Sequence, residues 1–105
     1  MKEVSQLAFV LDRLVQKSGS TLESASLEAR LGRNHLAKVI NQNLNWLISG
    51  DPLRSIGSGE HLADIFSLTE PHRTFFLGLC RGRSLEQLSS ELEIPAPLEF
   101  IRFNP

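Results

Sequence analysis

The tightest constraint on this chain is the spacing of apolar residues over positions 31–51. Leu36, Val39, Ile40, Leu44, Leu47 and Ile48 recur at helical intervals, with Asn43 the one polar residue in the stripe. Such spacing is the mark of a helix with one buried face. It predicts a helix from about residue 34 to residue 49, closed by Gly50. Its wet face carries His35, Lys38, Asn41, Gln42 and Asn45, and the stretch holds no acid before Asp51. A carboxylate-free face of amides and one Lys suits a groove walled by phosphates. Asn and Gln can each pair two atoms of an adenine edge, and Lys can meet phosphate or guanine.

The rest of the chain reads as a scaffold of further helices. Residues 4–17 form a first helix through Val4, Leu7, Ala8, Leu11, Leu14 and Val15, stopped by Ser18-Gly19. Ser20-Thr21-Leu22-Glu23 has the form of a capping box and opens a second helix over 21–31, stopped by Gly32. Residues 51–59, with Pro52 and Gly57-Ser58-Gly59, read as a loop, and Ser58 caps a fourth helix carrying Leu62, Ala63, Ile65 and Phe66. Thr69-Glu70-Pro71 starts a fifth, with Thr69 as cap and Phe75, Phe76, Leu79 and Cys80 inside it. Ser84-Leu85-Glu86-Gln87 is another capping box and opens a sixth, which ends near Leu92 ahead of Pro95 and Pro97. No strand alternation competes, apart from the apolar tail around Leu98, Phe100, Ile101 and Phe103. The expectation is an all-α, compact five- to six-helix bundle over residues 1–94, with an extended tail over 95–105.

At 105 residues the chain is one domain, and a single cysteine, Cys80, fits a reducing cytoplasm. Its apolar runs are too short for a membrane span or a signal segment. The net charge is −1, but residues 30–50 hold three bases and no acid, whereas residues 51–105 hold five bases and eight acids. A basic patch so small predicts modest affinity per protomer and hence a homodimer on DNA.

Four segments carry a family likeness. Trp46-Leu47-Ile48-Ser49-Gly50-Asp51-Pro52 is similar to the end of a recognition helix and its exit turn. Residues 61–70, His-Leu-Ala-Asp-Ile-Phe-Ser-Leu-Thr-Glu, and residues 71–79 are similar to the fourth and fifth helices of the same fold, and residues 11–19 to its opening helix and glycine. On these, residues 4–81 resemble the phage-repressor and Cro-like helix-turn-helix family. The resemblance implies a sequence-specific DNA-binding regulator of phage or bacterial type, with helix three in the major groove. Family members usually carry a small residue four positions before the turn glycine and an aliphatic one six positions after it. With Gly32 as that glycine, these positions hold Glu28 and Lys38. A second register puts Leu36-Ala37 in helix two, Asn41 at the turn and the recognition helix at 43–48. The Gly32 register is preferred because the apolar stripe runs unbroken through Asn41.

In that register the expected DNA contacts are Arg33, Asn34, His35, Lys38, Asn41, Gln42, Asn45 and Arg54, with Arg33, Lys38 and Arg54 on phosphates. Each could equally belong to an ordinary solvated face, with Arg33 and the neighbouring Arg30 paired to Glu28 or another surface acid. Phe100, Ile101 and Phe103 are the expected dimer or partner contacts, against the alternative that the tail covers its own core. His61, His72 and Cys80 lack the compact spacing of a zinc site, and no nucleophile–base or phosphate-loop pattern stands out, so neither enzyme nor cofactor is expected. The near-neutral charge, the acidic C-terminal half and the apolar tail leave a second class open. That class is a protein-interaction module on the same fold, such as an antirepressor, an antitoxin-like protein or a phage inhibitor of a host factor.

Overall fold

In a computed structural model, which describes residues 5–101, the chain is all-helical. The order is α1 (Gln6–Ser18), α2 (Leu22–Glu28), α3 (His35–Asn41), α4 (Pro52–Ile65), α5 (His72–Cys80), α6 (Leu85–Leu92) and α7 (Leu98–Ile101), with no strand among the described residues. The expected count of five to six helices therefore becomes seven among the described residues. α5 buries Phe75, Phe76, Leu79 and Cys80. α4, α1 and α6 pack on α5, through Leu62 and Ala63, Leu7, Val10 and Leu11, and Leu85 and Leu88, and α3 joins the same core through Leu36 and Val39 by packing on α1 and α2. The radius of gyration, 12.5 Å, is that of a close-packed chain of this length.

Most helix starts follow the side-chain chemistry. Ser5, Thr21, Asp51 and Ser84 each accept a backbone N–H of the first turn. Ser84 and Gln87 satisfy one another reciprocally, at 3.1 and 2.9 Å, as the capping-box reading of this segment expects. Two starts differ in detail. The cap of α2 is Thr21, bonded to the Ser24 amide at 3.0 Å, and not Ser20. At α5 it is the Glu70 carboxylate, and not Thr69, that accepts from the Thr74 amide, at 3.0 Å.

The helix ends differ more. α3 stops at Asn41, eight residues before the position its apolar stripe predicts. Asn43 turns left-handed, with φ 55°. The Asn43 and Leu44 amides then fold back on the carbonyls of Ile40 and Val39, at 3.2 and 2.9 Å. Those two bonds satisfy the orphan carbonyls of the last turn and end the helix. The same closure ends α2 at Arg30 (φ 62°), ahead of Gly32, with Leu31 bonding Ser26 at 2.8 Å. In both places a residue other than glycine occupies the left-handed position, so no glycine announced the stop.

α4 corrects the reading of 51–59 as a loop. Asp51 caps it, with its carboxylate accepting the Arg54 amide at 3.1 Å, and Pro52 sits in the first turn, where its missing N–H costs nothing. Ser58 is inside the helix and not its cap. Its two glycines have different roles. A Cβ on Gly59 would lie 3.1 Å from Cys80 Sγ and 3.2 Å from a Leu77 methyl, so Gly59 lets α4 and α5 approach closely. Gly57 is exposed and a Cβ there would meet nothing within 4 Å. Gly57→Ala is therefore expected to stabilise the fold by about 0.8–1 kcal/mol, read as a rise in the thermal midpoint, with Gly59→Ala gaining less.

The tail is corrected as well. Residues 98–101 form a turn of helix against α1, not an extended segment. Phe100 is 1% exposed and its ring meets His72 edge-on, with centroids 5.5 Å apart. Glu99 lies 3.3 Å from Lys17 and 3.8 Å from His72.

Candidate nucleic-acid interface

Two buried serines fix α3 in place. Ser26 Oγ donates to the Leu22 carbonyl at 2.7 Å and accepts the Leu36 amide at 3.2 Å, joining α2 to α3. Ser55 Oγ, fully buried in α4, donates to the Ile48 carbonyl and accepts the Ile48 amide, both at 3.0 Å. Leu47 adds an N–H bond to the Cys80 carbonyl, 2.9 Å. The irregular segment 42–51 is thus held at both ends, by the closure at Asn43 and by α4 and α5. Buried polar groups with both partners met are rigid, because losing either leaves an amide or carbonyl dry.

The expected contact residues divide on this frame. Asn34, Lys38, Asn41 and Gln42 are all exposed and follow one another at helical spacing, so they share one stripe. None of their side chains has a hydrogen-bond or ionic partner among the described residues; Asn34 stands at the helix start without capping it. Asn45 is exposed beyond the helix end, in the irregular segment and not on the helical face expected for it. Arg54 is exposed in the first turn of α4, its guanidinium unpaired among the described residues.

Two of the set are engaged internally. His35 is half-buried, and its Nε2 donates to the Leu47 carbonyl at 2.5 Å, which ties the start of α3 to the segment beyond its end. That bond requires the proton on Nε2 and makes His35 a positioning residue of the stripe. Arg33 is exposed and pairs through Nε with Glu23 of α2, at 2.9 Å. An exposed pair of this kind contributes about 0–1 kcal/mol, so Glu23 holds Arg33 only weakly. Arg30, exposed at the left-handed end of α2, is a further cation on the α2–α3 connection without an ionic partner among the described residues.

Of the expected partner contacts, Phe100 belongs to the core and Ile101 is 44% exposed; Phe103 lies outside the described residues. Leu92, Ile94 and Leu98 join Ile101 as exposed apolar side chains of the C-terminal region, at 38%, 40% and 66%. Trp46 is half-buried against Gly82, where a Cβ would come within 2.5 Å of the indole. Thirty-five residues separate the two in the chain, so no local signal marks that contact.

The titrating groups with displaced pKa values lie off the α3 stripe. Burial alone pushes the Cys80 thiol far up, so it stays protonated and inert. On α6 the Glu86 carboxyl is held below its usual range, chiefly by a bond from its own backbone N–H, with Gln6 and Ser84 adding to it. Among the described residues no three His, Cys, Asp or Glu side chains converge as metal ligands, and no helix is long and apolar enough to cross a membrane. In comparisons with protein-family models, curated proteins and solved structures, the chain matches none of them.

Proposed function

We propose that this chain is a sequence-specific DNA-binding regulator of helix-turn-helix type that acts as a homodimer. α2 and α3 are the motif in this reading, in the Gly32 register, and α3 enters the major groove. The observation that carries the reading is the stripe Asn34, Lys38, Asn41 and Gln42, exposed, without a carboxylate and without partners among the described residues. Side chains that have no work inside the fold are free to read base edges and phosphates.

The length of α3 sets the scale. Seven residues span about 10 Å, which fits the major groove but reaches only three or four base pairs. Two copies reading two half-sites supply what one cannot. Arg30, Lys38 and Arg54 are the phosphate contacts of each protomer, and Arg33 joins them on leaving Glu23. Leu92, Ile94, Leu98 and Ile101 are the apolar surface available for pairing two protomers.

Selection from a random-sequence duplex pool tests this. The expected product is a motif with two related half-sites, bound with a log–log salt slope of about −7 for eight phosphate contacts per dimer. No enriched motif, or binding indifferent to salt, removes the reading.

A second reading, a protein-interaction module on the same scaffold, is favoured by one observation. Four of the six large apolar side chains exposed among the described residues lie in residues 84–101, a stretch with four acids and no base; Leu27 and Leu53 are the other two. Such a surface suits a basic partner. Retention of a host protein by the wild-type chain, lost with Leu98→Glu and accompanied by no DNA binding, would favour it.

A further inference from the structure

A groove of about 720 Å³ opens between the start of α1, the segment after α3 and the start of α6. Its walls include Asn45, Trp46, Arg83, Ser84 and Gln87. Most of its acceptors are already used inside the fold. Asn43 Oδ1 accepts the Ser5 amide at 2.5 Å, Gln87 Oε1 accepts the Ser84 amide at 2.9 Å, and Ser84 Oγ accepts the Gln87 amide at 3.1 Å. Its donors are not. The Trp46 indole N–H and the side-chain NH₂ groups of Asn45 and Gln87 have no acceptor among the described residues. Arg83 pairs with Glu91 through Nη2 alone, and its Nε is the buried side-chain polar atom left without a partner among the described residues. A guanidinium can serve an oxyanion through two nitrogens at once, and because Nε is shielded from solvent a ligand engages it by displacing the Glu91 carboxylate. The half-buried indole and Leu79 supply an apolar wall.

From this imbalance we infer that the groove is a binding site for a small ligand with an anionic oxygen group, a carboxylate or phosphate, on a flat apolar body. Arg83 and the amide of Asn45 hold the oxygens and Trp46 faces the body. The site is independent of DNA binding, although the residues next to Asn45 close α3.

Trp46 is the only tryptophan, so its emission reports on the groove directly. The full chain is titrated with benzoate, inorganic phosphate and phenyl phosphate, against sodium chloride at matched ionic strength. Benzoate separates carboxylate from phosphate chemistry, and phenyl phosphate against inorganic phosphate shows whether the apolar body contributes. The expected result is a saturable change with at least one probe, weakened about ten-fold or more in Arg83→Gln or Asn45→Ala and unaltered in Arg54→Gln. Asn45 is exposed and holds nothing in the fold, so its variant answers even if Arg83→Gln fails to fold. No saturation with any probe up to about 20 mM, an equal change with chloride, or equal affinity in both groove variants overturns the inference.

Discussion

Phe100→Ala is expected to remove about 3–5 kcal/mol of folding stability, the range for deleting a buried aromatic ring. The ring is 1% exposed, packs edge-on against His72 and closes the core where α7 meets α1. A domain of this size is stable by only about 5–15 kcal/mol, so the loss takes a large share of the total. Thermal or urea unfolding measures it, and the decisive feature is concentration. A ring buried in its own protomer gives a loss that is the same at every protein concentration. A ring that anchors a partner gives a loss that grows with concentration, since only the associated wild type would benefit from the contact. Ile101→Ala, at a 44% exposed position, is expected to cost well under about 1 kcal/mol in the same assay.

Lys38→Glu is expected to weaken DNA binding by about ten- to a hundred-fold at moderate salt and to flatten the salt slope, while leaving folding stability within about 0.5 kcal/mol of wild type. The two readouts separate because Lys38 is exposed and has no internal partner among the described residues. The change places a carboxylate at the centre of the stripe, facing phosphates, so repulsion replaces attraction. Arg33→Ala is expected to have a smaller effect on affinity, because its guanidinium must first leave Glu23. Equal affinity for wild type and Lys38→Glu in fluorescence anisotropy would remove α3 from the interface.

The helical class was legible because apolar residues at spacings of three and four dominate every segment. The core followed with it: Leu7, Leu11, Leu36, Leu62, Phe75 and Phe76 are buried, as their stripes require. Helix ends were legible only where glycine or a capping hydroxyl stands. Gly19 and the Ser84–Gln87 box mark real boundaries, whereas Arg30 and Asn43 adopt left-handed backbone that few side chains favour. Asn43 carried a faint signal, as the polar residue in an apolar stripe and a type that tolerates the turn. α4 was hidden because glycines that normally punctuate loops sit inside it, and the close approach of Cys80 to Gly59 belongs to tertiary packing. Composition could place the α3 stripe but not its commitments. His35 binds the Leu47 carbonyl twelve residues on, and Arg33 binds Glu23 ten residues back. Both partners are set by how α2, α3 and the 42–51 segment pack, which helical spacing alone does not encode.

The measurement closest to the central claim is a heteronuclear NMR titration of the chain with the duplex its pool selection enriches. Backbone amide signals of Asn34, Lys38, Asn41 and Gln42, and the side-chain amides of Asn34, Asn41 and Gln42, are expected to shift first and furthest, followed by Arg30, Arg33 and Arg54. The amides of residues 84–101 are expected to move little on the DNA-bound face. Shifts confined to residues 84–101, or none at duplex excess, would contradict the assignment of α3 as the reading helix.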